Sequence, residues 1–229
     1  MIHYHGTPIS PRPVLHGLAG RHFCVTYADP RDVRECHRIG QSVMLDNGAF
    51  SFWRSDTPVD WDGFMDWAEE WLDHQTTWAV IPDVIDGTAE DNDRLLIQWF
   101  QRRMPNGAPV WHLHEPLDRL RRLANGYERV CFGSSGDYAT IGNTAWRRRV
   151  SDAFDAISDP AGRVPWVHML RGMSLSGDVF PFASVDSTDV ARNHNRQHNT
   201  ARAMVERWDA MQCPARWERV DQLTFEATA

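Results

Sequence analysis

With 229 residues, 42% of them hydrophobic and including 11 Trp and 10 Phe, the chain suits one densely aromatic domain, and it has no apolar run long enough to span a bilayer. Its net charge of −7 argues against binding nucleic acid through bulk positive charge, while leaving room for a local patch. All 24 basic residues are arginine, which excludes mechanisms built on a Schiff-base or P-loop lysine, barrel aldolases and pyridoxal enzymes among them.

Apolar runs read against turn signals give alternating strands and helices. A first strand, Ile2 to His5, ends at Gly6-Thr7-Pro8. The second, His22 to Tyr27, precedes a helix from about Pro30 to Arg38. The third, Ser42 to Leu45, delivers Asp46 onto a turn of Asn47, Gly48 and Ala49; a helix over Trp61 to His74 follows, with Trp61, Phe64, Met65, Ala68 and Trp71 at helical spacing. Thr77 to Pro82 is the fourth strand and Thr88 to Met104 its helix, with Thr88 as N-cap. Ala108 to Leu113 is the fifth, followed by a helix from Pro116 to Ala124 that Asn125-Gly126 terminates. Arg129 to Phe132 runs into the loop GSSGD and a helix from about Thr140 to Ile157. Val164 to Leu170 and Phe180 to Val185 are the last two strands; a closing helix starts near Ser187 or Thr188 and reaches Met211, and 214–229 carries no assignable element. Eight alternations in a chain of this size is the count of a single-domain α/β protein of the (β/α)8 TIM-type barrel class, spanning 1–229.

The N-terminal MIHYHGTPIS has no basic region followed by an apolar stretch, so a cytoplasmic protein without a signal peptide is expected. Cys24, Cys36, Cys131 and Cys213 are far apart and form no Cys-x-x-Cys pair, which predicts buried free thiols rather than a disulfide framework or a ribbon-type zinc site. Arg102 with Arg103, Arg119 with Arg121 and Arg122, and Arg147 to Arg149 fall in amphipathic helices, where a solvated face is expected.

In parallel α/β folds the carboxyl ends of strands carry the chemistry. Three strands here end in an aspartate followed by turn or helix-start residues: Asp46, Asp83 and Asp186. One such aspartate reads as a turn cap, whereas three at equivalent places converge on one rim. The same rim would present His5, His112, His114, the glycine-flanked turn Gly133 to Gly136, and His168. Paired carboxylates facing a small electrophilic carbon can divide nucleophile and proton shuttle between them.

LDNGAF at the third strand, IPD at the fourth, VWHLHE, CFGSSG, WVHMLRG and FASVDSTDVAR follow in order the motif layout of tRNA-guanine transglycosylases. Over about residues 40 to 195 the chain resembles most closely the short phage-associated relatives that insert 7-deazaguanines into DNA. The resemblance implies that Asp186 is the nucleophile on C1′, that Asp46 is the general acid/base, and that Asp83 accepts hydrogen bonds from the purine edge. It further implies that His112 or His114 contacts the base, that Gly133 and Ser134 line its pocket, and that His168 and Met169 wall it. The partners implied are DNA and a 7-deazaguanine base of the 7-cyano (preQ0) type, with no metal and no organic cofactor. Tetrahedral zinc near the C-terminus, typical of the tRNA enzymes, is not supported by Cys213 alone, which favours DNA over tRNA.

Two other readings are open. His3-Tyr4-His5 with His112, His168 and Asp186 resembles the ligand set of a metal-dependent hydrolase on the same barrel. A non-enzymatic DNA-binding or structural module would leave the three strand-end carboxylates without a role. In the transglycosylase reading His3 and His5 are either core histidines or contacts to DNA or sugar. His194 and His198, four apart on the predicted last helix, have a metal-binding spacing but sit among polar residues that favour a solvated or phosphate-facing helix start.

Overall fold

The computed structural model describes residues 1–196 and 198–219; the end of the unassigned stretch, 220–229, lies outside the described residues. Nine short strands, β1 (Ile2–Gly6), β2 (His22–Thr26), β3 (Ser42–Asp46), β4 (Thr77–Val80), β5 (Gly107–Ala108), β6 (Val110–His112), β7 (Arg129–Gly133), β8 (Trp166–Met169) and β9 (Ser184–Ser187), form a single sheet. All its pairings are parallel, in the order β5-β4-β3-β2-β1-β9-β8-β7-β6.

The two ends of that order are consecutive in sequence, so the sheet curls into a nearly closed barrel. Between β5 and β6 stands Pro109, which has no N–H to give to a ladder. Its carbonyl still accepts from the Cys131 amide at 2.8 Å, and Ala108 accepts from Ile81 at 2.9 Å, so this one segment reaches both neighbours. The expected fifth strand, Ala108 to Leu113, is therefore two short pieces.

Alternation along the strands sorts side chains into two cores, as a period of two requires. Tyr4, Cys24, Met44, Trp78, Val80 and Cys131 fill the inside of the barrel. Their neighbours Phe23, Val43, Leu45, Ala79, Trp111, Phe132, Val167, Met169 and Val185 face outward, into the larger core formed with the helices. At the inner floor the Tyr4 hydroxyl accepts from Trp78 Nε1 at 2.9 Å and from Ser42 at 3.2 Å.

The helices are α1 (Arg12–His16), α2 (Val33–Ile39), α3 (Ala49–Arg54), α4 (Trp61–Leu72), α5 (Ala89–Gln101), α6 (Leu117–Gly126), α7 (Thr144–Ile157), α8 (Asp189–Asn193) and α9 (Ala201–Asp209). Thr88 caps α5 in a reciprocal box with Asp91. The short helices α1 and α3 were not expected, because neither is long enough to show a periodic pattern. The predicted closing helix is two helices, α9 starting afresh from the Thr200 N-cap. The last strand falls later than Phe180 to Val185: Phe180 and Phe182 flank Pro181 and pack outward against Trp146, Phe154 and Trp217 instead of entering the ladder.

Several arginines expected on solvated faces are tied to carboxylates. Arg119 is buried, with Nη1 2.6 Å from Glu115 and Nε 2.9 Å from Asp93, while Arg102 spans Asp62 and Asp66. The four cysteines are free, as predicted, and three are buried. Among the described residues no helix is long and apolar enough to cross a membrane.

Candidate active site

The carboxyl ends of β1, β2, β3, β7 and β9, with the loops after β4 and β8, surround a cavity of about 270 Å³ lined by Asp46, Asp83 and Asp186 together. His112, Gly133 and Ser134 also line it. Six of the nine residues expected at the site thus meet in one pocket.

Asp46 closes β3, and the backbone turns sharply after it at Gly48, whose φ of 76° is a left-handed conformation that glycine adopts without strain. That turn puts Asn47 between two strand ends. Asn47 accepts from the Ala49 amide at 2.9 Å and donates to the Ile81 carbonyl at 2.9 Å and to Asp83 Oδ1 at 2.7 Å. Asp83 Oδ2 receives His112 Nε2 at 2.9 Å, so both oxygens of this buried carboxylate are held by side-chain donors. The imidazole lies tight against Gly133, where a Cβ would come within 2.6 Å of His112 Nδ1. Glycine at 133 is the residue that permits this approach.

Asp186 is fixed from the other side. Its Oδ1 accepts from the Arg171 backbone amide at 2.7 Å and from His168 Nε2 at 3.2 Å, and Oδ2 has no donor among the described residues. The imidazole is oriented by a chain behind it: Trp166 Nε1 donates to Ser184 Oγ at 2.9 Å, and the Ser184 hydroxyl meets His168 Nδ1 at 2.8 Å, leaving the proton on Nε2 for Asp186. Arg171 has a φ of 57°, an uncommon conformation for a residue with a side chain. It turns the amide onto the carboxylate and sends the guanidinium over the Phe50 ring, 4.1 Å from its centroid, with Nη2 2.9 Å from the Ser134 carbonyl.

The acidity of Asp46 follows from this crowding. Burial raises its carboxyl first, the charge of Asp186 and then that of Asp83 add to it, and hydrogen bonds from the Thr26 hydroxyl and the Gly48 amide oppose it; the result is a pKa pushed up from 3.8 to about 7. Burial first, then the charges of Asp186 and Asp46, push the Cys24 thiol, which lines the pocket, well up. It is a poor nucleophile there.

Three expected positions fall elsewhere. His114 lies beyond the end of β6, exposed, bonded to Ser135 Oγ at 3.0 Å and the Gly87 carbonyl at 3.1 Å, and it does not line the cavity. His168 is fully buried beneath Asp186 rather than in the pocket wall. Met169 faces the outer core, because alternation along β8 sends it outward; its successor Leu170 lines the pocket instead.

His3 and His5 also face outward, since Tyr4 between them points into the barrel. His5 Nε2 lies 3.2 Å and His3 Nδ1 3.7 Å from Asp209 on α9, with His3 Nε2 3.0 Å from Ser176. Burial first of all lowers His3 to about 4, against the pull of Asp209. The residues required by the hydrolase reading therefore sit on two faces of the sheet, and among the described residues no group of three or more His, Cys, Asp or Glu is placed to hold a metal. His194 follows α8 with Nδ1 on the Val190 carbonyl, and His198 lies in the break before α9, so the helical spacing of this pair is not realised.

A second layer, invisible to motif reading, supports the Asp83 side. Buried Glu115 accepts from the His112 amide at 3.0 Å, from Arg119 at 2.6 Å and from Asn92 at 2.9 Å; Asn92 in turn accepts from the Val84 amide at 2.7 Å. Glu115 thus ties together the backbones on either side of the Asp83–His112 bond. Comparison with known proteins adds no family to this geometry: no protein-family model, curated protein or solved structure matches the chain.

Proposed function

We propose that this protein is a transglycosylase that exchanges guanine in DNA for a 7-deazaguanine through a covalent aspartyl-glycosyl intermediate. The observation that carries the reading is the meeting of two carboxyls in one pocket: Asp46, raised to a pKa of about 7, and Asp186, whose Oδ1 is pinned by two N–H donors. A carboxyl raised toward neutrality suits a general acid beside a second carboxylate that serves as nucleophile. We also infer that β5 and β6 are one strand bent at Pro109, which restores the eight units of a TIM-type barrel.

With Oδ1 occupied, Oδ2 of Asp186 is the atom free to attack C1′. The C1′–N9 bond breaks as the Oδ2–C1′ bond forms, and guanine leaves with the proton that Asp46 supplies. The incoming base returns its N9 proton to Asp46 while N9 attacks C1′, and Asp186 departs as carboxylate. One glycosidic bond is exchanged for another, so atoms and charge balance without an outside energy source. Asp83, oriented by Asn47 and His112, keeps lone pairs for the N–H groups of a purine edge. A cavity of about 270 Å³ lies just below the range of about 300–1,000 Å³ usual for drug-sized ligands, which suits a single base.

The test is incorporation. Purified protein is incubated with labelled guanine and either double-stranded DNA or bulk tRNA, and label in the precipitated polymer is counted. Label in DNA, abolished in Asp186→Ala, is the expected result. Label in tRNA alone would retain the mechanism and overturn the DNA assignment, and no label in either polymer would overturn the proposal.

A further inference from the structure

A pocket sized for one base leaves the rest of a polymer lying across its mouth, and one stretch of that mouth is built differently from the remaining surface. Six large hydrophobic side chains are exposed among the described residues, and two of them, Trp53 at 51% and Val84 at 40%, flank the cavity. Val84 stands between the pocket residues Asp83 and Ile85, and Trp53 precedes pocket-lining Arg54. The indole is not loose: Nε1 donates to Asp86 at 2.6 Å, and its ring stacks on Phe50 with centroids 5.8 Å apart. Phe50 itself lines the cavity. Trp53 is therefore a rigid aromatic edge held out to solvent, joined through Phe50 to the pocket wall.

Charge at the same place points the same way. On helix faces away from the pocket, Arg102, Arg119, Arg121 and Arg122 are matched to carboxylates. At the mouth, the guanidinium of Arg54 makes no ion pair or hydrogen bond with any described residue, and Arg192 on α8, three strands further round the sheet, makes none either. An acidic chain thus places two uncompensated cations at the entrance to its carboxylate pocket, which complements a phosphate backbone running across it.

Resting on the transglycosylase reading, we propose that the α3 rim is the duplex-opening element: Trp53 fills the gap left in the stack when the target base turns into the pocket, and Arg54 holds a flanking phosphate. C1′ is shielded inside a duplex, so the base must be extruded before Asp186 can reach it. An exposed, preorganised apolar side chain beside the extrusion site offsets the lost stacking.

The experiment measures fluorescence anisotropy of two labelled, mixed-sequence DNA duplexes rich in guanine, one fully paired and one with a guanine opposite an abasic site. Trp53→Ala is expected to weaken the fully paired duplex roughly tenfold, the worth of about one base–aromatic stack, while changing the abasic duplex by much less. Arg54→Ala is expected to weaken both equally and to lower the salt slope of binding by about 1. Both side chains are exposed, so unchanged melting temperatures verify folding. If wild-type protein binds DNA and Trp53→Ala affects neither duplex, or both alike, the wedge is refuted while the base-exchange reading stands. If wild-type protein binds neither duplex and labels only tRNA, the DNA reading and the wedge fail together.

Discussion

Replacing Asp46 by asparagine probes the electrostatics of the pocket without asking for turnover. The amide keeps the shape and an acceptor for Thr26 and Gly48 but cannot ionise. In the wild type the folded carboxyl has a pKa of about 7 against 3.8 for an ordinary aspartate, so between these values the unfolded chain sheds a proton that the folded one keeps. Stability is therefore lost as pH rises through that window and the loss is complete above about 7, where at about 1.36 kcal/mol per pK unit it amounts to about 4 kcal/mol. The amide variant has no such dependence. Asp46→Asn should exceed wild type by about 2 kcal/mol at pH 5 and by about 4 kcal/mol at pH 8, other titrations cancelling in the comparison. Urea unfolding midpoints of both proteins at the two pH values give the gap directly. A gap that does not widen between pH 5 and pH 8, or a variant less stable than wild type at the higher pH, would refute the crowding of Asp46 by burial and by Asp186.

The same group sets an activity profile: base exchange that needs protonated Asp46 should fall as pH rises above about 7, and Asp46→Asn should bring label incorporation to background at every pH. His168→Ala removes one of the two donors to Asp186 Oδ1, and at about 1.5–3 kcal/mol for a hydrogen bond to a charged group it should lower kcat by roughly 10- to 100-fold, read at a temperature where circular dichroism shows the variant folded. Glu115→Ala leaves buried Arg119 with Asp93 but not Glu115 and the His112 amide without an acceptor, and should cost about 1–3 kcal/mol in chemical denaturation, whereas Glu115→Gln, which keeps an acceptor, should cost less.

Much of the architecture is legible in the residues. The strands at Ser42, Thr77 and Arg129 begin where their apolar runs begin, and Thr88 caps the helix it was expected to cap. These are local matters of period and capping, decided within a few residues. The misreadings share another cause. Pro109 lies inside an apolar run and splits it, because a missing N–H matters only once a neighbouring strand is there to receive it. Phe180 and Phe182 have strand-like composition, yet the aromatic cluster of Trp146, Phe154 and Trp217 draws them out of the sheet.

At the site the division is similar. That Asp46, Asp83 and Asp186 follow apolar runs is written in the chain, and the parallel sheet brings them to one rim, Asp46 as the last residue of β3, Asp186 as the last but one of β9 and Asp83 three residues beyond β4. Which polar groups reach the rim is not written there. Asn47 meets Asp83 across 36 positions, and His168 meets Asp186 across 18. The Arg171 amide turns onto Asp186 only because its backbone is left-handed. Facing follows the same rule: His3 and His5 go to α9 because Tyr4 takes the barrel interior, and Leu170 replaces Met169 in the pocket because β8 is entered on one phase of its alternation rather than the other. Sequence alone determined which apolar runs become strands leading into carboxylates, since this depends on local periodicity. The curling of the sheet decided the partners, the facing and the acidity of Asp46, since those depend on distances between strands that the chain does not specify until it has folded.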